Sequence, residues 1–119
     1  MTKTTDEFVI YHNPRCSKSR EALALLRQRG IEPKIIEYLK TPPTKAALLD
    51  VIEKLGIKPD ALLRKGEYLF KEQFADRGLS DEECIEAMLE HPVLIERPIV
   101  IHGTRAVIGR PPQLVVELL

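Results

Sequence analysis

The sequence predicts an α/β fold: a mixed sheet of about four strands flanked by helices, with a helical insertion before a C-terminal β-hairpin. Three observations support this expectation. A strand, a helix and a second strand open the chain, helical patterns occupy its middle, and a hairpin pattern stands near its end. One domain over residues 1–119 is expected, because 119 residues are too few for two separate cores.

The first elements form a βαβ unit. Residues 7–12 are rich in β-forming side chains and run into an Asn-Pro turn, which predicts a strand. Residues 17–29 carry apolar side chains at helical spacing, and Gly30 suits the end of that helix. Residues 34–39 are short and apolar, which predicts a second strand covered on both faces.

The middle of the chain is predicted to be helical. Residues 44–56 form an amphipathic pattern between a capping threonine and a glycine. Residues 58–78 are interpreted as short helical pieces. Ser80 and Glu83 form the pattern of a capping box, and Pro92 limits the helix that follows.

The last elements are a hairpin and a helix. Residues 98–102, a turn at residues 103–104 and residues 105–108 predict the hairpin, and residues 111–119 predict a final helix that opens with proline. The complete order fits a thioredoxin-like sheet with a helical insertion before the hairpin.

Composition argues against several functional classes. The chain has 18 basic and 18 acidic residues, so it has no overall field to hold a nucleic acid. No apolar run approaches the about 20 residues of a membrane span, and the N-terminus lacks the pattern of a signal peptide, so a cytoplasmic protein without membrane association is expected. The histidines lack ligand-like spacing with the cysteines, and we expect no metal site.

Cys16 stands where the first strand gives way to the first helix. Free backbone N–H groups and the positive end of the helix dipole favour a thiolate there. Arg15, Lys18 and Arg20 add positive charge, which we expect to lower the pKa of the thiol further and to attract anions. We therefore interpret Cys16 as a nucleophile that attacks an oxyanion.

The loop around Cys16 contains no second thiol that could act as the reductant. Ser19 stands where a C-x-x-C motif has its second cysteine, so turnover needs an external thiol such as glutathione or a glutaredoxin. Cys84 is interpreted as a buried core residue. The hydroxyls of Ser17 and Ser19 either bind an anion or cap the helix, and His12 either favours the thiolate or is structural.

Three further arginines stand in distinctive segments: Arg64 follows Leu-Leu, Arg97 precedes Pro-Ile-Val, and Arg110 lies between Gly and Pro. Together with the cysteine loop, which reads His-Asn-Pro-x-Cys-x-x-Ser-Arg, these segments resemble the glutaredoxin-coupled arsenate reductase family. The similarity runs over essentially the whole chain and is closer to the short chromosomal branch of that family.

The resemblance implies an enzyme that reduces arsenate to arsenite, without a bound cofactor. It assigns nucleophilic attack to Cys16, and oxyanion binding and transition-state stabilisation to Arg64, Arg97 and Arg110. The supporting residues in the loop are His12, Ser19 and Arg20. The implied mechanism is a thiol-arsenate adduct that glutathione, as co-substrate, and glutaredoxin, as partner, turn over to arsenite. The bond between Arg97 and Pro98 takes the position of a cis-proline beside the cysteine.

Two alternatives remain open at the level of sequence. A monothiol loop also suffices for an oxidoreductase that acts on glutathione mixed disulfides. A Spx-like regulator that binds RNA polymerase shares the fold, although such proteins commonly carry the C-x-x-C switch that Ser19 removes. Arg15, Ser17 and Lys18 stand where the best-known arsenic-resistance enzymes carry small residues, which allows a different substrate.

Overall fold

A mixed sheet forms the centre of the first part of the fold. The computed structural model describes residues 7–75 and 77–119. Within these residues the sheet has the order β2-β1-β3-β4. The strands are β1 (Phe8–Tyr11), β2 (Lys34–Ile36), β3 (Ile99–His102) and β4 (Arg105–Ile108). β1 and β2 are parallel, whereas β3 is antiparallel to both β1 and β4, so the predicted βαβ unit, hairpin and mixed sheet are confirmed.

The helices account for most of the remaining chain. The α-helices are α1 (Ser17–Gln28), α2 (Lys45–Leu55), α3 (Pro59–Leu62), α4 (Tyr68–Gln73) and α5 (Asp81–Glu90). Two 3-10 helices cover Pro92–Leu94 and Pro112–Leu118. Four of the α-helices stand between β2 and β3 in the chain, which confirms the predicted helical insertion. No helix of the described residues is long and apolar enough to cross a membrane.

Internal contacts divide the chain into two compact units. The first unit contains the described residues up to Thr41 together with Arg97–Leu119, and it holds the sheet, α1 and the C-terminal 3-10 helix. The second unit, Pro42–Glu96, holds α2 to α5. The expectation of a single domain over residues 1–119 stays a prediction.

The core of the first unit lies between α1, the sheet and the C-terminal 3-10 helix. Its buried residues are Ile10, Ala22, Leu23, Leu26, Val100, Val115 and Leu118. The helix follows from the spacing of its apolar residues, since Ala22, Leu23 and Leu26 fall on one face of a 3.6-residue turn. Burial of that face against the sheet is what stabilises a helix of this length in water.

Gly109 allows an unusually close approach in this core. A Cβ atom at this position would lie 3.0 Å from Pro98 Cγ and 3.2 Å from Val115 Cγ1. The Gly109 N–H group also donates to the Pro98 carbonyl at 2.8 Å. The chain segment that leads to Arg110 is therefore held directly against Pro98.

One element differs from its prediction, and another is helical as predicted but of the 3-10 type. β2 ends at Ile36 and lies at an edge of the sheet, where Ile35 is 37% exposed, so the expectation of a strand covered on both faces was wrong. The final helix is a 3-10 helix whose buried residues are Pro112, Val115 and Leu118. That spacing of three matches the 3.0 residues per turn of a 3-10 helix rather than the period of an α-helix.

The second unit contains the predicted caps. The Thr44 hydroxyl accepts the N–H of Ala47 at the start of α2. At the start of α5, Ser80 Oγ accepts the Glu83 N–H at 3.1 Å, and the Glu83 carboxylate accepts the Ser80 N–H at 2.9 Å, so the capping box is confirmed. Cys84 is fully buried on α5, as predicted.

Candidate active site

Cys16 occupies the N-cap position of α1, with an extended backbone. Its N–H group donates to the Asn13 carbonyl at 2.9 Å, and its carbonyl accepts the Arg20 N–H at 3.0 Å. The Asn13 side chain closes the turn by accepting the Arg15 N–H at 3.0 Å. The thiol is partly exposed, so the loop presents it at the positive end of the helix.

The surroundings of Cys16 favour its ionised form. Burial acts to raise the pKa of the thiol, but the backbone N–H of Ser19, a hydrogen bond and the charge of Arg97, and the N–H of Lys18 together lower the pKa below its usual value. Both N–H groups belong to the first turn of α1, where they stabilise negative charge on the sulfur. The cationic contribution to the lowered pKa comes from Arg97, whereas the sequence had led us to expect it from the side chains of Arg15, Lys18 and Arg20.

His12 and Ser19 form a buried pair behind the cysteine. Ser19 is fully buried and His12 is 6% exposed, and His12 Nδ1 lies 2.6 Å from Ser19 Oγ. The same oxygen accepts the Asn13 N–H at 3.0 Å. Burial is the largest influence on the pKa of His12; Glu37 opposes it, Arg27 and Arg20 reinforce it, and the pKa is lowered overall. Because the Ser19 oxygen already accepts the Asn13 N–H, the hydroxyl is suited to donate a hydrogen bond to Nδ1 of a neutral His12 whose proton is on Nε2.

Ser19 does not cap α1, because no side chain makes a capping hydrogen bond at the start of this helix and the Ser19 hydroxyl is bonded to His12 and to the Asn13 N–H instead. The Ser19 hydroxyl is engaged inside the loop, where it supports the turn from behind, and Ser17 is exposed. Arg20 is a second support, because its Nη1 atom donates to the Pro14 carbonyl at 2.9 Å. The loop is thus held by side chains at two of its positions after the cysteine.

Two of the three predicted substrate arginines lie with Cys16 in the first unit. Arg97 precedes β3 and hydrogen bonds the thiol, and the bond between Arg97 and Pro98 is cis, as predicted. Arg110 is exposed, and its Nη1 atom donates to the Arg97 carbonyl at 3.2 Å. The structure therefore places the Arg97 guanidinium at the thiol and the Arg110 guanidinium at the Arg97 backbone carbonyl.

Arg64 lies in the second unit, between two carboxylates. Its Nε atom donates to Glu67 Oε2 at 3.3 Å, and its Nη1 atom donates to Glu96 Oε1 at 3.2 Å. A bridge between Leu63 and Ile95 holds the two backbone segments side by side. The sequence analysis did not identify these two glutamates; the only signals for them were the three-residue spacing of Glu67 and the position of Glu96 directly before Arg97.

The other candidate groups do not extend the site. Burial, followed by the charges of Asp60 and Asp81, raises the pKa of the Cys84 thiol, which makes it a poor nucleophile. Among the residues that the structure describes, no group of three or more histidine, cysteine, aspartate or glutamate side chains could hold a metal ion.

Comparisons with known proteins show which family the chain resembles over most of its length. The sequence profile of the ArsC family matches residues 11–118. The chain is 48% identical to an arsenate reductase of Haemophilus influenzae, over 93% of this chain and 97% of that protein. It is 49% identical to the Escherichia coli K12 protein YfgD, over 97% and 98%. The solved structure of an arsenate reductase from Vibrio cholerae has a TM-score of 0.90 at 50% identity, covering 95% of this chain and 98% of that one.

Proposed function

This chain belongs to the ArsC family, and on that premise we propose that it is an oxidoreductase that reduces arsenate to arsenite. The observation that carries the proposal is the Cys16 thiol, which is partly exposed, has a lowered pKa and is hydrogen bonded by Arg97. Relatives that share 48% and 50% of its residues are named arsenate reductases.

The arginines suit a tetrahedral oxyanion. A guanidinium group is permanently charged and presents paired donors that match two oxygens of one anion. We propose that Arg97 and Arg110 bind arsenate beside Cys16 and stabilise the charge that develops during attack. Arg64 has the same assigned role by family resemblance.

The proposed chemistry begins with two substitutions at arsenic. The Cys16 thiolate forms a sulfur–arsenic bond, and one arsenate oxygen leaves as water after protonation. The thiol of glutathione then replaces a second oxygen, again with loss of water. Arsenic is still As(V) at this stage and is bonded to both sulfurs.

Reduction follows at the glutathione sulfur. A glutaredoxin thiolate attacks that sulfur, a disulfide forms, and the electron pair of the broken sulfur–arsenic bond remains on arsenic as As(III). Water then displaces Cys16 and arsenite leaves. Overall, arsenate and two thiols give arsenite, one disulfide and one water.

The local thiols support an external reductant. Ser19 replaces a resolving cysteine in the loop, and Cys84 is fully buried. Glutathione and glutaredoxin supply the two electrons in this proposal, and a cytoplasmic location would keep both reduced.

The test is arsenite formation by the purified chain with arsenate, glutathione, glutaredoxin and NADPH-driven recycling. We expect the wild type and Cys84→Ser to produce arsenite at similar rates and Cys16→Ser to produce none. Arsenite from Cys16→Ser at the wild-type rate would refute the mechanism.

A second candidate has its own observation. A low-pKa thiol without a resolving cysteine also suits reduction of glutathione mixed disulfides. Cys16-dependent activity on a glutathionylated protein, combined with no arsenite from folded wild type, would favour this function over arsenate reduction.

A further inference from the structure

A groove opens beside the cysteine loop in the first unit. Residues 12–15 line one side, and Glu37, Leu39 and Lys40 line the other. Its volume is about 290 Å³. Of the residues on the second side, only Glu37 has a role described above, through the effect of its charge on the pKa of His12.

The position of the groove follows from the sheet. β1 and β2 are parallel, with Tyr11 opposite Ile36, and the His12 N–H donates to the Ile36 carbonyl at 2.8 Å. The groove therefore lies outside the carboxyl ends of two adjacent parallel strands. Cys16 is tied to the same loop through the Asn13 carbonyl.

The walls of the groove carry a defined set of charges. Arg15 is exposed on the loop side, and the Lys40 side chain is 80% exposed on the other. Glu37 Oε1 lies 3.4 Å from Lys40 Nζ, so one carboxylate accompanies the two cations. Leu39 is 44% exposed and gives the groove an apolar surface. At the inner end lies His12, whose pKa is lowered mainly by burial, so it adds no charge at neutral pH.

We propose that this groove binds glutathione and directs its sulfur towards Cys16. The inference rests on the proposed function for its reductant. Glutathione has two carboxylates and one ammonium group at neutral pH, the complement of Arg15, Lys40 and Glu37. Arg15 and Lys40 bind the carboxylates, Glu37 binds the ammonium group, and Leu39 contacts the methylene chain.

A thiol–disulfide exchange tests the groove without arsenate. The Cys16 thiolate attacks glutathione disulfide, a mixed disulfide of Cys16 and glutathione forms, and one glutathione thiolate leaves. The neutral bis(2-hydroxyethyl) disulfide undergoes the same exchange without carboxylates or ammonium groups. The ratio of the two rate constants therefore reports recognition of the glutathione charges rather than the reactivity of Cys16.

The variants are Lys40→Glu and Arg15→Glu, with Lys34→Glu as a control, because Lys34 is exposed on β2 outside the groove. We expect each groove variant to lower the ratio of the rate constant for glutathione disulfide to that for the neutral disulfide about tenfold relative to the control. Equal effects of Lys40→Glu and Lys34→Glu would overturn the proposal.

Glu37→Gln distinguishes binding of the glutathione ammonium group by Glu37 from attraction of an anion by the net charge of the protein. Glutathione disulfide is an anion, so a loss of negative charge from the protein would speed its reaction if only net charge mattered. Recognition of the ammonium group predicts a slower reaction, by about threefold. A faster reaction in Glu37→Gln would overturn the proposal.

Steady-state kinetics test the glutathione groove and the proposed arsenate reduction separately. We expect Lys40→Glu to raise KM for glutathione and to leave KM for arsenate unchanged. A wild type that forms no arsenite but shows the charge-dependent exchange would refute the function and retain the groove. Arsenite formation with unaltered KM for glutathione in every groove variant would refute the groove and retain the function.

Discussion

At the scale of single residues, the reactivity of Cys16 depends on groups from two separate stretches of the chain. The N–H groups of Lys18 and Ser19 come from the helix that Cys16 itself begins, whereas Arg97 comes from the start of β3. The helix alone offers partial charges, and Arg97 offers a full one. Loss of Arg97 should therefore change the titration of the thiol measurably.

We expect Arg97→Ala to move the pH midpoint of Cys16 alkylation by iodoacetamide to higher pH, because the lowered pKa loses its charged donor. Less thiolate is then present at neutral pH, and alkylation slows. The exposed Arg29→Ala is the control. An unchanged midpoint in folded Arg97→Ala would contradict the assignment.

The serine that replaces a second cysteine has a structural role of its own. Ser19→Ala removes an oxygen that binds both His12 and the Asn13 N–H in a buried position. We expect the free energy of unfolding to fall by about 1–3 kcal/mol, measured by denaturant titration. Ser17→Ala, at an exposed position in the same loop, should change it little. Equal effects of the two changes would show that the buried pair contributes nothing.

Burial of His12 also predicts a dependence of stability on pH. Because the pKa of His12 is lowered in the folded state, mainly by burial, the unfolded chain binds the proton first as the pH falls below 6.5. The His12 contribution to stability is present above that pH and is lost as the pH falls through the lowered pKa. His12→Gln should flatten the fall in unfolding free energy between neutral and mildly acidic pH; an identical slope would contradict this account.

At the scale of elements, the β-bridge between Leu63 and Ile95 brings Glu96 beside Arg64. The Arg64 N–H donates to the Leu94 carbonyl at 2.7 Å, and the Glu96 N–H donates to the Leu62 carbonyl at 2.9 Å. These bonds fix the two segments in register, so the side chains of Arg64 and Glu96 meet. Glu67 holds a second edge of the guanidinium, through Nε. The remaining donors, on Nη2 and part of Nη1, are the ones this arrangement leaves for an anion.

We therefore expect Glu96→Ala to lower kcat/KM for arsenate about tenfold, because Arg64 loses a contact that orients it. If Glu96 acts through Arg64, Glu96→Ala should not lower kcat/KM further when Arg64→Ala is already present. Arg64→Lys replaces Arg64→Ala as the background if the alanine variant does not fold. Glu82→Ala removes the partner of Lys45 elsewhere in the second unit and is the matched control. Additive losses from Arg64 and Glu96 would contradict a positioning role.

Elements whose caps or turns lie within a few residues of one another could be predicted from the sequence. Properties that depend on which elements pack together in the fold could not. The capping box of Ser80 and Glu83 lies within four residues and is correct in detail. The burial of β2 depends on its place in the sheet order, which its own residues do not reveal, and Ile35 is exposed at the edge. The helix after Pro111 could be predicted from its opening proline, but its 3-10 type was not predicted, although the three-residue spacing of Pro112, Val115 and Leu118 is present in the sequence.

At the scale of the whole molecule, the contiguous part of the candidate site could be predicted from the sequence, whereas contacts between distant residues could not. Cys16 and its loop are contiguous, so the sequence indicated both the nucleophile and its helix. The charge that acts on the thiol comes from Arg97, which the sequence indicated only through family resemblance and only as a substrate ligand. Glu96 meets Arg64 across 32 positions of sequence, and no local pattern indicates such a pair.

Gly109 directly precedes Arg110 and packs against side chains of the protein core. Its missing side chain lets Pro98, Val115 and Ala22 lie within 3.0 to 3.5 Å of where a Cβ would stand. A larger residue at position 22 or 115 would therefore push on the backbone beside Arg110 with no flexible side chain to absorb the displacement. Mutations selected for tighter packing would also move Arg110 and, under the proposed function, change the affinity for arsenate, so thermostability and substrate range in this unit could not be engineered independently.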